Sequence, residues 1–438
     1  MTDTNVLTLT PPAASGQPAE SRRRDLVPGS SHPPTDSCRN RDLRVLFFVE
    51  GFTDIRFVVG LSEICDLTMA VPAREYQQST LKQRVDASGA QLRVHEIAGG
   101  RLAFQARSLP YLWRVAPHFD VILSQEVLRG SLNATVVGTL RRVPVVTYMG
   151  IAPLEYFRCR RARGQIGRLR SWAGETAIRT CMAINGRLAT RCLAMGPYLR
   201  EVAARSCART DIGLYYGVDV DRFRPADALE RAACRRRLNL PVDRFLIVLS
   251  SRISHEKDPE TVLRAAALAR RRGLDVVVLN LGGGYQQFLD LATTLHLHCD
   301  GDWVLGRPAV HPMQELADYF RAADALALAS LAEGAAYSTL EALACATPVV
   351  ATAVGGMAVQ IRRYARLTPR RNAEAMADAF LAIAADPESA RAQARRGREY
   401  VCSEWSRTRA FGDLARILAE VAAPVRERRG VTRGVAGQ

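Results

Sequence analysis

The sequence predicts an α/β protein built from two facing, Rossmann-like, doubly wound domains with a cleft between them. Three observations carry this expectation. At 438 residues the chain exceeds one ordinary domain and suits two of roughly 180 residues with tails. Two separate alternations of apolar strand-like runs and helical stretches follow one another. A turn-rich segment, Tyr215 to Pro225, stands between them.

The first alternation opens at Leu43–Val49, where a short apolar run reads as a buried strand. Glu50-Gly51-Phe52-Thr53 then turns the chain into a helix through Val58, Val59 and Leu61. Further strands are expected at Leu67–Val71, Gln91–Ile97, Val121–Leu123 and Val143–Val146, with helices between them. A short apolar stretch, Leu188–Met195, precedes a helix from Pro197. The second alternation has strands at Phe245–Leu249, Val276–Asn280, Trp303–Leu305, Ala325–Ala327 and Val349–Ala351. Its helices are expected at Pro259–Arg272, Gln286–Leu295, Met313–Ala322, Thr339–Ala344 and Ala373–Ala385, with a last helix over Trp405–Val421. The expected division is a disordered tail over 1–42, a first domain over 43–225 and a second over 226–398. A C-terminal helix at 399–422 packs back toward the first domain, and 423–438 is a basic flexible tail. In open sheets of this kind a ligand sits at the carboxyl ends of the strands.

Composition narrows the function classes. The net charge is +16, and Arg supplies nearly all of it, since Lys82 and Lys257 are the only lysines. Anionic partners fit this charge, but no zinc-finger spacing, RNP-like strand or basic zipper marks a nucleic-acid module, so none is expected. The ten cysteines form no C-x-x-C pair and read as reduced thiols. No apolar run reaches the ~18–20 residues of a membrane span. The expectation is a soluble, cytoplasmic protein. The segment Phe157–Arg191 carries nine Arg and one acid, Glu175; it reads as a solvated basic face, as a peripheral contact with an anionic membrane surface at the inner face of the cell membrane, or as a contact with an acceptor phosphate.

The chemistry concentrates in the second alternation. Glu333-Gly334-Ala335-Ala336 follows an apolar strand and leads into a helix carrying Glu341. Small residues there let a ligand approach the backbone, and N–H groups at a helix opening suit an anion. Glu341 is expected in the first helical turn, where a carboxylate could accept two ribose hydroxyls. Arg252 and Lys257, just past the Phe245–Leu249 strand, offer a fork of donors and a point charge that suit a diphosphate. Gly282-Gly283-Gly284 closes another strand at the same edge. Asp300-Gly301-Asp302 resembles a metal-binding D-x-D but precedes a strand and reads as a turn.

Glu333 and Glu341 lie eight positions apart inside an E-G-x-x…L-E-A-x-A-x-x-x-P-V-V run. With Arg252, Lys257, Tyr216-Gly217-Val218-Asp219 and Val354-Gly355-Gly356, this run resembles glycosyltransferase family 4, the glycosyl transferases group 1, which are retaining enzymes of GT-B fold. The resemblance is most specific from Leu246 to Gly356. It implies transfer of a sugar from a nucleotide-sugar, UDP- or GDP-linked, to a glycan or polyprenyl-linked acceptor, in cell-envelope or exopolysaccharide assembly, with no metal and no cofactor. It makes 43–225 the acceptor domain and 226–398 the donor domain. By the same resemblance Glu333 stands by the donor sugar, Glu341 binds ribose, and Arg252 and Lys257 hold the departing diphosphate. Gly334, Ala335, Ala336, Gly283 and Gly51 let the donor lie close to the backbone. The chain departs from the family pattern at Met149 (often His), Tyr216 (Asn), Val359 (Glu), and at His255 and Asp258 beside Lys257. Two alternatives remain at this point: a nucleotide-sugar epimerase of the same fold, and a non-catalytic nucleotide-sugar-binding partner.

Overall fold

Apolar runs, half of them rich in β-branched residues, set the strands of two parallel sheets. The structure, a computed structural model, describes residues 42–51, 53–161, 168–297, 302–311 and 315–430. Of the tails expected at 1–42 and 423–438, residues 1–41 and 431–438 lie outside the described residues, as do Asp300 and Gly301.

The first half runs β1 (Arg44–Phe48), α1 (Ile55–Ile64), β2 (Asp66–Pro72), α2 (Ala73–Gln77), α3 (Thr80–Ser88), β3 (Leu92–Ile97), α4 (Arg101–Val115), β4 (Val121–Ser124), α5 (Arg129–Arg141), β5 (Val145–Met149), α6 (Pro153–Arg161), α7 (Arg168–Leu188), β6 (Arg191–Ala194), α8 (Pro197–Ala204) and β7 (Thr210–Ile212). Its sheet has the order β3-β2-β1-β4-β5-β6-β7. The second half runs α9 (Ala228–Arg237), β8 (Phe245–Leu249), α10 (Pro259–Arg271), β9 (Val276–Leu281), α11 (Tyr285–Thr294), β10 (Val304–Arg307), α12 (Leu316–Ala322), β11 (Ala325–Leu328), α13 (Tyr337–Ala344), β12 (Val349–Thr352), α14 (Gly355–Gln360), β13 (Arg366–Thr368), α15 (Ala373–Ala385), α16 (Pro387–Glu404) and α17 (Arg407–Arg428). Its sheet has the order β10-β9-β8-β11-β12-β13.

Both sheets are wound outward from their first strand and then back past it. The order therefore reverses between β1 and β4 in one sheet and between β8 and β11 in the other. A reversal leaves a crevice at the strand ends, because neighbouring connections depart to opposite faces. Glu50 and Gly51 follow β1; Arg252 and Lys257 follow β8; Glu333 follows β11. The topology alone thus gathers the sequence-predicted groups at two crevices.

Several elements differ from expectation. The strand placed at Val143–Val146 begins at Val145 and runs to Met149; Pro144 has no N–H for the ladder. The helix placed at Thr339 begins at Tyr337, so Glu341 is its fifth residue and stands in the second turn, not the first. The three-residue strands β7 and β13 were not anticipated. Nor was α16, whose start is marked by Asp386 accepting from the Ser389 N–H, with Pro387 at the first position. The final helix starts after Trp405 and continues to Arg428, past the end expected at 422.

The chain passes between the halves twice, and the two passages pair. The Val218 N–H donates to the Trp405 carbonyl at 2.7 Å, and the Arg407 N–H donates to Val218 at 2.8 Å. Gly217 has φ +62, and a Cβ there would stand 2.6 Å from the Arg407 Cα, so only glycine fits. Helix α17 then lies along the first half. Its Phe411 ring fills the space a Cβ on Gly60 would need, and Arg407 and Arg429 pair with Glu63 and Asp120 at 2.7 and 2.9 Å. No helix among the described residues is long and apolar enough to cross a membrane.

Candidate active site

The loop after β8 curls through a 3-10 turn, His255–Lys257, and lies against the loop after β11: the Leu331 N–H donates to the Glu256 carbonyl at 2.8 Å. This contact brings Lys257 to Glu333, and its ammonium hydrogen-bonds the Glu333 carboxylate, which also accepts from the Ser330 hydroxyl at 3.1 Å. Glu333 is 6% exposed. Its carbonyl accepts from the Gly356 N–H at 3.0 Å, and Gly355 and Gly356 leave no room for a Cβ against Glu333 and Gly334. The V-G-G turn is therefore the floor on which the acidic loop rests.

Arg252 is exposed at the rim. Gly283 lies beside it: a Cβ on Gly283 would stand 3.8 Å from the Arg252 Cγ, and its carbonyl accepts from the Ile253 N–H at 3.0 Å. Gly334 faces the other half of the molecule; a Cβ there would meet the Gly150 carbonyl at 2.7 Å. Ala335 is half-buried and Ala336 buried at the α13 cap. Gly51 is exposed after β1, with open space where a side chain would be. Arg252, Lys257, Glu333, Gly334 and Gly283 therefore lie along one strand-end edge, with the turn after β5 facing them. Met149, where the resemblance leads one to look for His, buries its side chain with Ala152, Met182 and Leu199. It offers the cleft no polar group; the Gly150 backbone does.

Glu341 sits differently. It is 3% exposed, and its carboxylate is held by the Arg56 guanidinium, which reaches across from α1. Arg56 also bonds Asp54 at 2.9 Å and the Tyr216 hydroxyl at 2.7 Å, and its guanidinium carbon lies 3.9 Å from the centre of the Tyr216 ring. Burial pushes the Glu341 carboxyl above its ordinary value against the pull of Arg56. For Asp54 burial acts the same way, but the charge and hydrogen bonds of Arg56 win and hold it below the usual range. Asp54, Arg56, Tyr216 and Glu341 thus form one buried polar network joining the two halves.

Among the described residues, no group of three or more His, Cys, Asp or Glu is placed to hold a metal ion.

Comparison with known proteins fits this geometry. The glycosyl transferases group 1 family matches residues 230–400. Those residues are a glycosyl transferases group 1 domain. The D-inositol 3-phosphate glycosyltransferase of Saccharomonospora viridis is 38% identical over 206 residues, covering 44% of this chain and 46% of that protein. The enzyme of the same name from Mycobacterium bovis is 40% identical over 158 residues, covering 35% and 31%. The chain therefore spans less than half the length of these curated relatives. Among solved structures, the Anabaena protein HepE in complex with UDP-glucose superposes with a TM-score of 0.70 at 16% identity, over 86% of this chain and all (100%) of that one. Sucrose-phosphate synthase from Thermosynechococcus elongatus gives 0.67 at 18%, over 87% and 100%. The architecture is GT-B.

The group 1 domain was legible from its own motifs; its partners from the first half were not. Asp54 and Arg56 carry no motif, although a Gly51-x-x-Asp54 turn at a strand end was a usable signal. Arg160 of α6, which reaches Glu256 at 3.4 Å, and Tyr156, one turn earlier on the same helix, were also passed over. Burial, then the nearby Glu333 and Glu256 charges, push the Tyr156 hydroxyl far above its ordinary value.

Proposed function

We propose that this protein transfers a sugar from a nucleotide-sugar donor, UDP- or GDP-linked, to a glycan or lipid-linked acceptor with retention of anomeric configuration, in assembly of cell-envelope or extracellular polysaccharide. The observation that carries the reading is the Lys257–Glu333 pair at the sheet's reversal point, with Arg252 at its rim. The likeness to a protein solved with UDP-glucose supports the choice of donor class.

In this reading the diphosphate lies over Arg252 and Lys257, and Gly283 lets it approach the backbone. Charge grows on the leaving diphosphate as the sugar–oxygen bond breaks. Two cations already in place at a strand end stabilise that charge without a metal. Lys257 exchanges its bond to Glu333 for phosphate oxygen, which frees the Glu333 carboxylate for the donor-sugar hydroxyls. Glu341 takes the ribose once Arg56 gives way. The acceptor approaches past Gly150 and α6. The basic, partly apolar face of α6 and α7 rests on an anionic membrane that presents a lipid-linked acceptor.

The deciding experiment is a thermal-shift screen of the purified chain against UDP, GDP, ADP and their glucose conjugates, followed by turnover with a lipid-linked acceptor. Specific stabilisation by one nucleotide and its acceptor-dependent release as diphosphate are expected. Release without acceptor, accompanied by an altered sugar, would point to an epimerase. Binding without turnover on any acceptor would leave a nucleotide-sugar-binding partner.

A further inference from the structure

Beside the loop that leads to Glu333, the molecule has a cavity of about 430 Å³. Arg158 and Cys159 of α6 form one wall. Leu331 and Ala332, in the loop that ends at Glu333, form the floor. Arg370 and Arg371, just after β13, close the far side. The Arg370 guanidinium reaches the Leu331 carbonyl at 3.4 Å. One residue, Ala332, stands between Leu331 and Glu333, so the cavity lies within about 7 Å of Glu333 along the chain.

The charge in this cavity is one-sided. Its one lining acid, Glu155, accepts from the Tyr198 hydroxyl. Glu175 is taken by Arg158 at 2.7 Å, with Arg161 and Arg179 near it, and Glu256 by Arg160. Among the described residues neither Arg370 nor Arg371 has a carboxylate partner. Two neighbouring guanidinium groups repel each other, and placing them at a concave site costs free energy unless an anion joins them. Their planar forks match a carboxylate or a phosphate. A neutral sugar could accept hydrogen bonds from such a wall but would leave its charge uncompensated.

We infer that this cavity is an anion subsite, which takes an acidic group, carboxylate or phosphate, carried by the donor sugar or by the acceptor next to it. The inference rests on the glycosyl-transfer reading for the identity of the molecule that carries the charge. It separates the work of two cationic groups: Arg252 and Lys257 serve the nucleotide diphosphate, and Arg370 and Arg371 select the sugar.

Isothermal titration of the full chain tests it in two arms. The donor arm compares UDP-glucuronic acid with UDP-glucose. The acceptor arm compares glucose 6-phosphate with glucose, with and without UDP. Wild type should bind the anionic member of one pair at least about tenfold more tightly; charged hydrogen bonds of this strength correspond to a factor of that order. Arg370→Gln/Arg371→Gln should erase the preference and leave affinity for UDP or GDP unchanged. Both positions are exposed, and Arg371→Gln alone, which touches no recorded backbone bond, should halve the logarithm of the preference if the double variant is unstable. A preference confined to the donor arm identifies a uronate-type donor; one confined to the acceptor arm identifies a phosphorylated acceptor. Equal affinity for both members in both arms, or a preference that survives the double variant, overturns the subsite. Absence of UDP and GDP binding in wild type would instead remove the glycosyl-transfer reading, and the nucleotide-free acceptor arm would still judge the cavity.

Discussion

Lys257 stands out in a chain that uses Arg at nearly every basic position. Its ammonium is 17% exposed and bonded to Glu333, in a space where a compact point charge fits and a planar guanidinium would have to displace the carboxylate. Lys257→Ala should lower turnover by a factor on the order of 10²–10³, the typical cost of one preorganised transition-state donor. Lys257→Arg should recover only part of that loss. Arg264, exposed on α10 and paired with Glu260 four residues before it, is the control, and Arg264→Ala should stay near wild type. Initial rates with matched donor and acceptor decide between these, and near-normal turnover by folded Lys257→Ala would remove Lys257 from the diphosphate site. Glu126 in the first half makes a separate prediction. Burial, then the charge of nearby Glu50, push its carboxyl up to about 7. Its folded value thus lies above the unfolded one, so the folded state binds the proton more tightly. The resulting stability is fully present below the ordinary value of 4.5 and is lost as the pH rises through about 7. Urea melts at pH 5 and pH 8 should show wild type losing stability relative to Glu126→Gln across that window; parallel pH profiles would contradict the assignment.

Helix α7 joins a basic face to an apolar one. Leu169 and Trp172 are 78% and 67% exposed, and Arg170, Arg179 and Arg187 share the helix with a single acid, Glu175. It packs beside α5, which packs on α4, and these helices add exposed Leu140 and Trp113 to the same layer. Trp and Arg together suit the interface of an anionic bilayer, where each basic group contributes about 1 kcal/mol near the surface. The protein should therefore sediment with phosphatidylglycerol vesicles at low salt and be released at high salt. Leu169→Glu/Trp172→Glu should abolish sedimentation while leaving the melting temperature unchanged. Equal recovery on neutral vesicles would make the face merely solvated. Elements also mark the limit of what the sequence showed. β8, β9 and β11 were readable because each is an apolar run, broken only by Asn280 in β9, and buried on both faces, as parallel strands require. β7 and β13 were not, since three residues each, Thr210–Ile212 and Arg366–Thr368, carry no periodic signal and owe their strand geometry to β6 and β12 beside them. α16 was missed although Asp386-Pro387-Glu388-Ser389 is a readable helix start. In the site, Lys257 and Glu333 were each legible from their own motifs, although their hydrogen bond to each other was not. Nor was the pairing of Arg56 with Glu341: 285 positions separate them, and only the packing of one half on the other brings them together.

At the scale of the whole molecule the two halves are held by the paired chain passages at Val218 and Ser406, by α17, and by the polar network around Arg56. The passages are covalent and persist in any arrangement of the halves. In the proposed reading the Arg56 network is the one of these three that a ligand would compete with, because ribose hydroxyls would draw on the Glu341 carboxylate that Arg56 holds. Nucleotide binding should then exchange an interdomain ion pair for a ligand contact, and the measured affinity is lower than the intrinsic one by the cost of that exchange. Arg56→Met separates the terms. Without ligand it leaves the Glu341 carboxylate buried without its cation, and loss of one partner of such a pair costs on the order of 3–5 kcal/mol; the variant should melt earlier than wild type. With nucleotide, Glu341 regains partners in both proteins, so the variant should gain more stability from saturating UDP or GDP than wild type does, and bind it more tightly. Arg56→Met/Glu341→Gln should recover part of the ligand-free melting temperature, since the Glu341 charge is gone while Asp54 still lacks its guanidinium partner, but lose most of the nucleotide response. Melting curves of wild type, Arg56→Met, Glu341→Gln and the double variant, each with and without nucleotide, complete the cycle. If nucleotide raises the melting temperature of wild type and Arg56→Met by the same amount, ribose does not compete with Arg56 for Glu341, and the carboxylate is a structural tie between the halves.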